Sequence, residues 1–102
     1  MIVYSVKINI KKNVEKEWLS WMKEIHIKDV MNTNYFTDWQ IFKIIFPESL
    51  QDESGYLIEY KTDSLTNYEA YVKNESKRLQ DDHIKKFEGK FTTSRSVMEI
   101  VR

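Results

Sequence analysis

The chain contains no cysteine, which excludes disulfides, thiolate nucleophiles and cysteine metal sites. One proline and two glycines in 102 residues leave no room for a proline-rich linker or a glycine-rich phosphate loop. Neither sign of charge is in excess: 16 basic and 16 acidic residues create no net field to draw DNA, RNA or an anionic membrane. No apolar run approaches the ~20 residues of a membrane helix, and Lys7 and Asn9 interrupt the apolar opening segment. The HExxH, GxSxG and calcium-loop patterns are missing, and the two histidines lie far apart, so the residues indicate no metal site and no cofactor. A soluble cytoplasmic protein with a single domain over residues 1–102 is the expectation, large enough for one core without covalent staples.

What is present is aromatic area, 14% of residues, and clear periodicity. Four stretches alternate apolar and polar side chains, the period of two of a strand: Ile2–Ile10, Tyr35–Phe46, Tyr56–Lys61 and Phe91–Val101. Two stretches have helical spacing, Val14–Ile27 and Leu65–Glu88. Asn13 and Ser64 are placed to cap them, and Gly89 can end the second as a left-handed residue. Pro47–Gly55 is the one long polar loop. The order strand, helix, strand, strand, helix, strand is a ferredoxin-like βαββαβ layout, class α+β: a four-stranded antiparallel sheet with both helices on one face.

Such a sheet leaves its second face to water, yet strand two, read as Tyr35–Phe46, puts large apolar residues on both sides. That pattern predicts a second subunit packed sheet to sheet, a homodimer. Lys7, Lys43, Glu59, Arg95 and Glu99 interrupt the strand runs; sharing one face, they would form a charged network inside the dimer. Recognition of RNA is not expected, because Ser54–Lys61 retains only the glycine and first aromatic of the third-strand signature of RNA-recognition domains.

Taken together, MIVYSVKINI, EWLSWMKEIHIKDVM, GYLIEYKTDSL and DHIKKFEGKFTTSRSVMEI resemble a small, functionally uncharacterised bacterial family of the dimeric α+β barrel superfamily. The likeness runs over nearly the whole chain, with one departure: Asn32-Thr33-Asn34 stands where a glycine is expected before strand two. The resemblance implies a homodimer whose two sheets form a barrel. It also implies relatives that include cofactor-independent monooxygenases, lactone isomerases and haem-degrading enzymes, with ligands held between helices and sheet. Fold kinship does not carry the chemistry across.

Within that frame a small set of residues could build a site. On an unbroken second helix, His83 lies in line with Leu65, Val72, Leu79 and Phe87, facing the sheet. It is either a proton carrier or ligand group in a cleft, or a core histidine with satisfied nitrogens. His26 falls at the rim of the first helix's stripe of Val14, Trp18, Trp21, Met22 and Ile25, near the helix end. Asp29 either caps a short turn after a helix that stops near Ile27, or points a carboxylate into a cleft. Arg95, facing the helices, could hold a carboxylate through paired hydrogen bonds. Trp18, Trp39 and Tyr56 could wall an aromatic ligand. Two functional expectations follow: a protein binding a small aromatic or carboxylate-bearing ligand in the helix–sheet cleft, or a self-association module without catalysis. A cofactor-independent monooxygenase or a haem-binding enzyme is the lesser alternative.

Overall fold

The computed structural model describes residues 1–102. Strands β1 (Ile2–Lys11), β2 (Asp38–Lys43), β3 (Glu53–Thr62) and β4 (Phe91–Glu99) form one antiparallel sheet in the order β2-β3-β1-β4. Two long helices, α1 (residues 15–31) and α2 (residues 65–86), lie on one face, completing the βαββαβ ferredoxin-like arrangement. Directly paired residues share a face, so the register from Ile8 to Tyr56 and Thr93 fixes the side of every strand residue. Tyr4, Val6, Ile8 and Ile10 of β1 and Tyr56, Ile58 and Tyr60 of β3 turn toward the helices and are buried there. Each such side chain contributes on the order of 1.5–3 kcal/mol through removal from water.

Both helices contain a five-residue π-turn, Met22–His26 in α1 and Val72–Ser76 in α2. In the first, the Ile27 N–H bonds back to the Met22 carbonyl instead of advancing by the usual step of four. The extra residue rotates everything beyond it. The buried stripe of α1 is therefore Trp18, Met22, Ile27 and Val30, while Ile25 is turned outward, 49% exposed. In α2 the stripe passes from Tyr71 to Ser76, Leu79, His83 and Phe87, and Leu65 and Val72 are exposed. The straight-helix reading thus places Ile25, Leu65 and Val72 wrongly and His83 correctly. Asp29 is also moved off the buried line. It caps nothing, because α1 runs on to Met31 instead of stopping near Ile27.

Other boundaries differ for local reasons. A 3₁₀ turn, Lys12–Val14, separates β1 from α1, and no side chain caps the helix, so Asn13 does not serve as its cap. Glu15 and Glu17 in the first turn favour the positive helix end instead. Ser64 does cap α2, its hydroxyl accepting from the Asn67 N–H at 3.2 Å. Gly89 closes that helix with φ +73°, as anticipated. Asn34 takes φ +66°, the left-handed position for which a glycine was expected; asparagine tolerates it well.

Strand β2 is only six residues long, half the predicted stretch. Its outward side carries Asp38, Gln40 and Phe42, so the apolar outer face predicted from Tyr35–Phe46 reduces there to one phenylalanine. Phe36 joins the core instead, against Tyr4, Tyr60 and Tyr71. The interrupting charges divide as well: Lys7 and Glu59 face outward, whereas Lys43, Arg95 and Glu99 lie on the helix side. They do not form the single interior network that a shared face would allow.

Candidate functional site

The sheet's helix side is filled at both ends and loose in the middle. At one end Tyr4, Phe36, Tyr60, Tyr68 and Tyr71 stack within 4.8–6.0 Å of one another. At the other, Trp18 packs on Tyr56 at 5.0 Å, and Trp21 meets Phe87 edge-on at 5.5 Å. Between the two clusters lies a cavity of about 30 Å³. His26 from the π-turn of α1, Gln80 and His83 from α2, and Arg95 from β4 all reach it, together with Tyr4 and Tyr71. The π-turn of α1 borders it through Met22 and His26, while that of α2 lies between the lining residues Tyr71 and Leu79.

His83 is the best-held group in this set. The buried Trp18 Nε1–H donates to His83 Nε2 at 2.9 Å, across 65 positions of sequence. An indole can only donate, so the accepting nitrogen is bare and the imidazole proton sits on Nδ1. No group of the chain accepts from Nδ1, and the atom is not sealed off. The one sealed, unpartnered side-chain polar atom in the protein is Thr62 Oγ1. Nδ1–H is therefore a donor without a partner in the chain, on a ring that lines the cavity. Trp21 stacks flat against His83 at 5.7 Å and against His26 at 5.1 Å, Phe91 covers His83 at 4.0 Å, and the two imidazoles are 5.7 Å apart.

Burial makes this environment one of neutral rings. His83 is pushed down to about 3, by desolvation first and then by His26 and Arg95. His26 is pushed down to about 4 by desolvation, against the opposing pull of Asp29 and Asp82. Burial raises the phenols of Tyr4, Tyr60 and Tyr71, so all three stay protonated at neutral pH. Arg95 is the one cation bordering the cavity, no carboxylate borders it, and Arg95 makes no ion pair.

Of the residues singled out from sequence, His83, His26 and Arg95 converge here, and Trp18 stands directly behind His83. The other three do not. Trp39 is partly exposed on edge strand β2, paired with Tyr60. Tyr56 turns away and donates its hydroxyl to Glu15 at 2.6 Å, where Ser54 donates at 2.8 Å and Lys43 makes an ion pair at 3.3 Å. Those contacts, Tyr56 foremost, hold the Glu15 carboxyl below its usual range. Asp29 sits on the surface with Asn32, Glu75 and Arg78. Sequence reasoning missed Tyr4, Tyr71 and Gln80. Inward alternation on β1 could have flagged Tyr4, and Gln80 stands three residues before His83 on the regular part of α2, whereas Tyr71 lies across the π-turn from both.

An antiparallel four-stranded sheet with two helices on one side defines a ferredoxin-like α+β protein. The chain belongs to the family described as a domain of unknown function, DUF4286, whose sequence profile matches residues 1–101. No curated protein matches it. Among solved structures it is similar to a dimeric ferredoxin-like protein from an uncultured marine organism, with 15% identity, a TM-score of 0.66 and all of both chains covered. It is also similar to an ethyl tert-butyl ether d (ethd) family protein from Bacillus halodurans, with 15% identity, a TM-score of 0.67, and 99% of this chain and 100% of that one covered. SnoaB, a cofactor-independent oxygenase from Streptomyces nogalater, aligns with 12% identity and a TM-score of 0.65 over 99% of this chain and 94% of its own. At these identities the likeness is one of fold.

Proposed function

We propose that this protein is a homodimer that binds a small polar ligand in the helix–sheet cleft of each protomer, against His26, His83 and Arg95. The observation that carries the reading is the convergence of three sequence-distant polar groups on one cavity, with His83 held by Trp18 so that its Nδ1–H is left without a partner in the chain. Buried polar groups normally find a partner in the chain or in ordered water; the His83 Nδ1–H has none within the chain. The cavity argues against the aromatic ligand that the tryptophans suggested. About 30 Å³ accommodates two water-sized groups, whereas drug-sized ligands occupy some 300 Å³ or more. That small volume favours the second reading, a self-association module with a filled core.

The dimer rests on shape. The molecule is a slab of 38 × 31 × 19 Å, one helix layer on one sheet layer, with the other sheet face bare. Its accessible surface of 6642 Å² exceeds by about 500 Å² the roughly 6,100 Å² expected of a compact monomer of this mass. Val97, Met98, Ile100 and Val101 along β4 and the chain end are exposed, as are Ile45, Phe46 and Leu50 beside β2. The solved dimeric ferredoxin-like neighbours support the same reading.

Thermal melts of the protein and of His83→Gln, each with a panel of small carboxylate-bearing and aromatic compounds, test the cleft. The expected outcome is a ligand-dependent rise in melting temperature that the substitution abolishes. A fall in melting temperature on substitution, with no response to any compound in either protein, establishes the self-association reading instead.

A further inference from the structure

Resting on the cleft reading above, we infer that the ligand is an anion that inserts a carboxylate head into the cavity, its two oxygens between the Arg95 guanidinium and the His83 Nδ1–H. Three observations converge on this. Arg95 is the sole cation at the cavity, it forms no ion pair, and none of the groups bordering the cavity is a carboxylate. An arginine in a surface salt bridge would be spoken for; this one meets only the neutral Tyr4 hydroxyl and has no carboxylate opposite its planar fork of donors. The Trp18 bond turns His83 into a donor at the cavity by occupying its only acceptor nitrogen. A ligand that must itself donate, such as an ammonium, loses that partner and faces the guanidinium charge as well.

The volume gives the size of the head group. Two water-sized groups fit in about 30 Å³, which matches two carboxylate oxygens and leaves no space for a ring. The remainder of the ligand must then leave past Arg95, which is exposed, along the helix-facing side of β4, where Thr93 and Val97 are exposed too. Burial holds both imidazoles neutral, so neither adds a second charge beside Arg95 at the cavity.

The test compares benzoate with benzamide, which has the same shape without the charge, by calorimetric and ¹H–¹⁵N NMR titration of the full chain and of Arg95→Gln. Arg95 is exposed and in no ion pair, and a glutamine amide can still donate to the Tyr4 hydroxyl, so Arg95→Gln should keep the parent melting temperature. Saturable benzoate binding that moves the His83 and Arg95 side-chain resonances, with benzamide silent and affinity at least about tenfold weaker in Arg95→Gln, is the expected result. Benzamide binding as tightly as benzoate overturns the anion assignment and leaves the cleft standing. Benzoate affinity unchanged by Arg95→Gln overturns it too, and directs attention to the surface lysines Lys11, Lys12 and Lys90. No saturable binding by either compound removes the anion and, with a silent ligand panel, the cleft itself.

Discussion

At the scale of single residues, the buried imidazoles make stability depend on pH in a definite direction. In the unfolded chain His26 and His83 titrate near 6.5; folded, they are depressed to about 4 and about 3. Between these limits the unfolded state binds protons that the folded state does not, so stability rises with pH through this window and levels off above about 6.5. Asp29 and Asp82 oppose the effect at His26, and Arg95 reinforces it at both rings. Lowering the pH from 7 to 5 should therefore cost about 1–2 kcal/mol per histidine. Urea denaturation at the two pH values measures this, and His26→Gln should roughly halve the difference attributable to the pair. An unchanged difference would mean that His26 is solvated in the folded protein.

At the scale of elements, the paired π-turns decide which side chains see the sheet. A π-turn is in effect one residue inserted into an α-helix, tolerated because the hydrogen-bond loss is local and often retained at functional sites. Its removal should then leave the fold intact. Deleting Glu24, exposed within Met22–His26, converts the five-residue step from Met22 to Ile27 into a regular four and keeps both flanking halves of the stripe inward. The expected outcome is a melting temperature equal to or above that of the parent, with the His26 side-chain NMR signals displaced and carboxylate binding weakened. Loss of the folded state on deletion would show that the π-turn is required for packing, and not retained for the cleft.

For the whole molecule, the flat shape and surplus surface are the basis of the proposed homodimer. An obligate interface of this kind buries on the order of 2,000 Å² or more in total, drawn from a sheet face that alternates Val3, Leu57, Phe42 and Met98 with Ser5, Lys7 and Glu59. Light scattering at micromolar concentration should give twice the 12.4 kDa chain mass. A monomer at that concentration would remove the sheet-to-sheet reading, despite the dimeric neighbours of the same fold. No helix is long and apolar enough to cross a membrane.

Local pattern alone determined the order of elements, the Ser64 cap, the Gly89 stop and the alternation along β1 and β3, because alternation and capping depend only on residues within a few positions of one another. The inward position of His83 was legible for the same reason: it shares its stripe with Leu79 and Phe87 on the regular part of α2. The site as a site was not legible. Its defining contact joins Trp18 to His83 across 65 positions, and its shape depends on two π-turns that no propensity announces, since their residues are ordinary helix formers. The single-residue insertion they represent changes no composition and breaks no run, yet it turns Ile25 and Val72 to solvent. Likewise, only the strand register could send Arg95 to the helix side and Lys7 to the other, because a period of two says that neighbours alternate and leaves open which face is which.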